Sequence, residues 1–207
     1  GVPSRRVSTV LAIDTASPAF ALAVAVDGAL TASLQHDSEQ EHSQQLLPRI
    51  DELLGERRRD LSGVVVVRGP GSYAGLRVGI ATAEGLALAL NIPVVGVGTL
   101  DAVAAVAGGD ILAIHPAGRG EFAAQRFEHG APVGGMFAAR PEELRGEATA
   151  GEGAGALGGR EVTPEERVRA ALRLGLPRLS EAAGRVEAIY LREPNISRPR
   201  PRPANGG

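Results

Sequence analysis

At 207 residues with 43% hydrophobic content, the chain is long enough to bury a substantial core as one large domain or two smaller ones. A formal net charge of −2, from 22 basic and 24 acidic residues, excludes a global electrostatic drive toward nucleic acid, and the absence of cysteine excludes disulfides, thiolate catalysis and thiolate metal sites. Aromatic residues make up only 3%, so core volume must come from Ala, Val, Leu and Ile, and platforms for nucleobase stacking are scarce.

Residues Val7–Ile13 form an apolar run that predicts a buried strand, ended by Asp14, Thr15, Ala16 and Ser17. Beyond Pro18, Ala19–Val26 predicts a second strand, Asp27-Gly28 a hairpin turn and Ala29–Gln35 a third strand. Hairpin strands followed by a helix imply a mixed sheet rather than a purely parallel one. That helix is predicted over His42–Leu54, where Leu46, Leu47, Ile50, Leu53 and Leu54 share one broad stripe.

Val64–Val67 returns to a strand pattern and leads into RGPGSYAGLRVG at Arg68–Gly79. A strand, a glycine-rich turn and a helix in that order can present backbone N–H groups to an anion, or can mark a place where two backbones touch. Gly69 and Gly71 open conformations closed to residues with a Cβ, and Pro70 fixes one φ between them. The run is not a P-loop, since GxxxxGK[ST] does not occur and the chain contains no lysine. The helix predicted over Tyr73–Leu90 spaces Gly75, Gly79 and Ala83 four residues apart on one face, a stripe for close packing within the molecule or across an oligomer interface.

Asn91-Ile92-Pro93 ends that helix, Val94–Val97 predicts a strand, and Thr99 is the expected cap of a helix beginning near Leu100 and ending at Gly108-Gly109. Ile111–Ile114 and Glu121–Phe127 read as partner strands across the polar interruption HPAGRGE. Two strand-rich halves, each followed by helical material, imply two related α/β lobes, residues 1–99 and a smaller 100–196, although no tandem sequence repeat is visible. Residues 145–161 read as a loop, Pro164–Leu174 as a short helix and Ala188–Leu191 as a final edge strand. Residues 197–207 form a basic, proline-rich tail expected to be flexible.

Asp14 at a strand end, with Thr15 and Ser17 beside it, can position a metal-bound nucleotide or simply satisfy the turn that leaves the strand. Arg68 and Arg77 flank the glycine loop and its Ser72 as candidate anion contacts, although Arg77 lies four residues past Tyr73 and can instead pair with a partner. The histidines at 36, 42, 115 and 129 form neither HxxxH nor HExxH, so no metal site is expected; His42 reads as a helix-start or interface residue. His115, Arg119 and Glu121 make a polar trio around a loop, suited to a carboxylate, a protein partner or simple solubility. With no apolar run of about 18 residues and no basic-then-apolar leader, the chain reads as soluble and cytoplasmic, without a membrane partner.

Five segments together, LAIDTAS at Leu11–Ser17, EHSQQLLP at Glu41–Pro48, RGPGSYAGLRVGIATAEGLALALNIPVVGVGTL at Arg68–Leu100, GRGEFAAQRF at Gly118–Phe127 and AIYLRE at Ala188–Glu193, closely resemble the TsaB family, also called YeaZ. That family is the partner subunit of the bacterial machinery that makes threonylcarbamoyladenosine in tRNA. The resemblance implies an α/β, two-lobed fold with mixed sheets, shared with actin, sugar kinases and Hsp70 ATPases. It implies a non-catalytic role with no catalytic or metal residue and no cofactor in the isolated chain, ATP or ADP and a metal ion binding the assembled complex. Implied partners are a TsaD-like catalytic subunit, a TsaE-like ATPase, a second copy when alone, and tRNA in the complex. His42, Leu46, Leu47, Ile50, Leu53, Tyr73, Gly75, Gly79 and Ala83 are the expected interface; Asp14, Thr15, Arg68, Gly69, Gly71, Ser72 and Arg77 remain the candidate anion or nucleotide contacts. Competing readings are an ATP-dependent phosphotransferase, a metallopeptidase-like enzyme and a nucleotide-sensing scaffold. The chain departs from the family at His115-Pro116-Ala117, where many relatives carry an aspartate, and in the short, glycine-rich stretch Arg145–Gly159.

Overall fold

Asp27 and Gly28 take left-handed φ values of 50° and 82°, as a two-residue hairpin turn requires, and fold β2 (Phe20–Val26) back onto β3 (Ala29–His36). β2 also pairs antiparallel with β1 (Thr9–Asp14), which pairs parallel with β4 (Leu61–Val67), and β4 with β5 (Val94–Val97). The computed structural model describes residues 8–37, 42–182 and 185–191, with the side chains of residues 42 and 43 outside that set. The basic tail 197–207 lies outside the described residues.

A second sheet repeats the first. β6 (Ile111–Pro116) pairs antiparallel with β7 (Phe122–Glu128), which pairs antiparallel with β8 (Ala131–Ala139). β6 also pairs parallel with β9 (Thr149–Gly151), and β9 with β10 (Arg160–Glu161). Counted from its own first strand, each sheet has the order 3-2-1-4-5. The two related lobes inferred from element order are therefore present as one topology used twice, even though the sequence shows no repeat.

Side chains alternate across a strand, and both faces of the first sheet are covered. Leu11, Ile13, Leu22, Val24, Val64 and Val66 pack beneath α1 (His42–Leu54) and α2 (Tyr73–Leu90), meeting Leu46, Ile50, Leu54, Ile80, Ala83 and Ala87. The alternate set, Val10, Ala12, Ala21, Ala23, Val65 and Val67, packs against Val168, Ala171 and Leu172 of α4 (Pro164–Gly175). Alanine there lets the helix approach closely: a Cβ at Gly175 would lie 2.6 Å from both methyls of Val65. Between the sheets, α3 (Thr99–Ala107) places Leu100 and Val103 with Ala113, Phe127 and Ala150 of the second sheet.

α2 is long and apolar enough to cross a membrane by length and composition alone, with a mean hydropathy of 1.2 over 18 residues. Here its small-residue face lies on the first sheet, and it carries Arg77 and Glu84.

The structure departs from the sequence expectations in several places. The stretch 145–161 is not only loop: β9 and β10 form there, too short for a periodicity to register. β8, a full edge strand, is masked in the sequence by Pro132 and Gly134-Gly135, residues that a sheet edge tolerates. Gly98, not Thr99, is the N-cap of α3; Thr99 is the first helical residue and its buried hydroxyl has no partner among the described residues. Residues 188–191 do not form a strand, although Ile189 N donates to Arg68 O at 2.7 Å. A cut at residue 99 also fails to separate the lobes, because α4 and the partly buried Val186 and Ala188 return to the first sheet.

Candidate functional site

β1 ends at Asp14, and the turn closes when Ala16 N donates to Asp14 Oδ1 at 2.9 Å. The other carboxylate oxygen accepts from Arg167 Nε at 2.6 Å, with neither side chain reaching solvent. Arg167 comes from the first turn and a half of α4, whose start is fixed by a capping box: Thr163 Oγ1 accepts from Glu166 N at 3.2 Å, and the Glu166 carboxylate accepts from Thr163 N at 2.9 Å. Pro164 occupies the first helical position, where its missing N–H costs nothing.

The remaining guanidinium nitrogens reach across the cleft. Nη2 donates to Ser17 Oγ at 2.7 Å and Nη1 to Glu152 Oε2 at 3.2 Å, while the Ser17 hydroxyl also donates to Glu152. His115 Nε2 lies 3.3 Å from the Ala16 carbonyl, which can only accept, so that nitrogen carries the proton. Nδ1 is then free to accept from Arg167 Nη1 at 3.4 Å. Asp14, Ala16 and Ser17 belong to the first sheet and its turn, His115 to β6 and Glu152 to the residue after β9, so this knot fastens one lobe to the other.

Burial, followed by the Arg167 charge, pulls the His115 pKa down to about 3 against the raising influence of Asp14 and the Ala16 carbonyl. His115 is therefore neutral at physiological pH, and its 3.8 Å approach to Glu152 is not an ion pair. For Arg167, burial opposes the charge, but the attraction and hydrogen bond of Asp14, reinforced by Glu152, outweigh it and raise the pKa.

A metal-bound nucleotide at this strand end would need an available Asp14 carboxylate. Both Asp14 oxygens are engaged, one by the Ala16 N–H and the other by the Arg167 guanidinium. No group of three His, Asp or Glu side chains among the described residues is arranged to hold a metal. The residues present do not fit that ligand.

The expected anion cluster is divided. Asp14 and Thr15 face the cleft and α2; the glycine loop packs onto the β1 turn, where a Cβ at Gly71 would lie 2.6 Å from Ala16 O. Its polar groups are used internally: Ser72 N bonds Ala16 O at 2.8 Å, Gly75 N bonds Ser72 Oγ at 3.3 Å, and Gly69 O accepts from Thr99 N at 2.8 Å. Gly69 is the position needing glycine conformationally, with φ 107° before a cis proline. Arg68 instead reaches toward Glu187 O at 3.2 Å, and Arg77 lies over the Tyr73 ring at 5.4 Å. The trio of His115, Arg119 and Glu121 also does not assemble, since His115 turns into the cleft while Arg119 stays on the exposed turn.

The expected interface needs correction too. Leu46, Ile50, Gly75, Gly79 and Ala83 are buried within the lobe, not on a surface open to another chain. A Cβ at Gly79 would collide with the Thr15 hydroxyl, and one at Gly75 with the Thr15 carbonyl, so this glycine face exists to receive the β1 turn. Leu53 is half-buried, and the His42 side chain lies outside the described residues. Leu47 at 54% and Tyr73 at 44% exposure do reach solvent, joined by Leu88 at 87%. Sequence alone marks neither Arg167 nor Glu152. The available signal was an arginine at 167 on the same helical stripe as Pro164, Val168, Ala171 and Leu172.

Residues 35–134 match the family model described as TsaD: tRNA N6-adenosine threonylcarbamoyltransferase. The chain is 40% identical over 94 residues to the tRNA threonylcarbamoyladenosine biosynthesis protein TsaB of Escherichia coli, covering 44% of this chain and 40% of that protein. It is 36% identical over 100 residues to TsaB of Bacillus subtilis, covering 47% and 44% respectively. A Pseudomonas aeruginosa crystal structure described as similar to peptidase YeaZ superposes with a TM-score of 0.72 at 25% identity, covering 89% of this chain and 100% of that one. The chain is similar to the TsaB/YeaZ family. Its α/β fold of two mixed sheets with helices is the one the family resemblance implied. The matched stretches span about two fifths of the length of these curated TsaB relatives.

Proposed function

We propose that this chain is a non-catalytic partner subunit in tRNA threonylcarbamoyladenosine biosynthesis, supporting a TsaD-type catalytic subunit in threonylcarbamoylation of the tRNA adenosine beside the anticodon. The observation that carries the non-catalytic part is the Arg167–Asp14 pair: the carboxylate that would organise a metal and nucleotide is already neutralised and buried. The names of the curated relatives and the TsaD family match support the pathway and the kind of partner. In this reading the chain works in the cytoplasm, pairs with itself when alone, and joins a TsaE-type ATPase and tRNA in the assembled complex. ATP or ADP and a metal ion then bind that complex outside this cleft.

The contact surface in this proposal is the outer side of α1 and α2, through Leu47, Tyr73 and Leu88, where apolar side chains stand in solvent. Reconstituted tRNA modification with a TsaD-type subunit tests it. Product formation should require this chain, and Leu47→Glu with Leu88→Glu should lower it at least tenfold while the melting temperature stays within a few degrees. Full product formation without the chain ends the proposal.

A further inference from the structure

The first sheet stops at β5, whose outer side pairs with no further strand among the described residues. Along that edge lies a cavity of about 280 Å³ floored by Val94, Val95 and Gly96. Three arginines line it: Arg68, Arg178 and Arg185. Arg68 Nη1 donates to Glu187 O at 3.2 Å and Arg178 Nη1 to Gly96 O at 2.9 Å, which anchors two guanidinium groups by one nitrogen each. Each guanidinium has five N–H donors, so most remain unused.

Six other arginines, at 49, 58, 59, 126, 160 and 167, sit within 4.0 Å of a carboxylate; among the described residues these three do not. Arg68 Nε is buried without a hydrogen-bond partner. The floor is shaped around Arg68 as well, because a Cβ at Gly96 would lie 2.5 Å from Arg68 Cδ and 2.7 Å from Val186 Cγ1. The Asp101 carboxylate interacts electrostatically with Arg68 and Arg178 without a direct salt bridge, so their forks keep N–H donors suited to the oxygens of a phosphate in this concavity.

We propose that this cavity binds the phosphate group of a small phosphate ester. Its volume sits close to the lower bound of about 300 Å³ for ligand pockets, leaving room for a small organic body beside the phosphate. Glu181 and Glu187 also line it. Their carboxylates accept from hydroxyl groups of that body, which favours a hydroxylated ester over inorganic phosphate.

Calorimetric titration of the full chain with ribose 5-phosphate and with inorganic phosphate, at ionic strength matched by chloride, tests the site. Both probes should bind saturably, the ester more tightly. Arg185→Gln removes a side chain that makes no hydrogen bond or ion pair among the described residues, so it should weaken ester binding several-fold with an unchanged melt. Arg178→Gln should weaken it about tenfold, and Arg126→Gln, which breaks only the distant pair with Glu147, should leave it unchanged. Absence of saturable binding, equal affinity in the Arg185 variant, or binding only of a short single-stranded RNA overturns the proposal. None of these readouts depends on tRNA modification.

Discussion

Arg167 Nε and Asp14 Oδ2 meet at 2.6 Å across 153 residues of sequence, both side chains fully buried. A buried pair of this kind is a costly arrangement to break from one side, because the remaining charge is left without water or a partner. The same guanidinium also holds Ser17 and Glu152, so one side chain fixes the end of β1 and the junction between the sheets.

Replacing Arg167 with Met should therefore destabilise the protein by about 3–5 kcal/mol in urea unfolding. Adding Asp14→Asn should recover part of that loss, since the neutral amide removes the stranded charge. Strictly additive losses in the double-mutant cycle would show that the two groups are not energetically coupled.

Gly79→Ala places a methyl group against the Thr15 hydroxyl. Overpacking at such a site costs about 1–3 kcal/mol, and the loss should appear as a lower melting temperature in the isolated chain. Thr15→Ala should relieve it, because the Thr15 hydroxyl is buried with no hydrogen-bond partner to lose among the described residues. Unchanged stability with weakened partner binding would instead put Gly79 on an interface.

Folded His115 is neutral, with a pKa of about 3, whereas the unfolded chain takes up a proton near 6.5. Its contribution is complete above pH 6.5 and declines as pH falls toward 3, by about 1.4 kcal/mol for each pH unit once below 6.5. Stability measured at pH 7, 6 and 5 should fall along that slope, and His115→Gln should flatten it. A slope indifferent to this substitution would assign the acid sensitivity to other groups.

Thr163→Ala removes the cap that starts α4 and should cost about 1 kcal/mol. Because Arg167 stands one turn beyond the cap, the Asp14 pair should loosen with it, and the effects of Thr163→Ala and Arg167→Met should not add. Independent losses would separate helix capping from the knot.

Much of the fold was legible because its signals are local. The apolar runs of β1, β2 and β4, the Asp27-Gly28 turn, and the stripe of α1 each follow from a few neighbouring residues, and the structure places them close to their expected bounds. The order of these elements also gave the two related lobes. β9 and β10 were not legible, since strands of three and two residues owe their existence to the neighbours that pair with them.

The site divides along the same line. Sequence alone marked Asp14, the glycine loop and the small-residue face of α2 as places of chemical or steric constraint, because residue type and spacing carry that information. Which partner satisfies each constraint was decided by tertiary structure: Thr15 fills the glycine face, Ala16 receives the loop, and Arg167 from a distant helix closes on Asp14. The physical reason is that a buried charge or a missing Cβ specifies only the need for a complement. Where that complement comes from depends on how the two sheets and α4 pack.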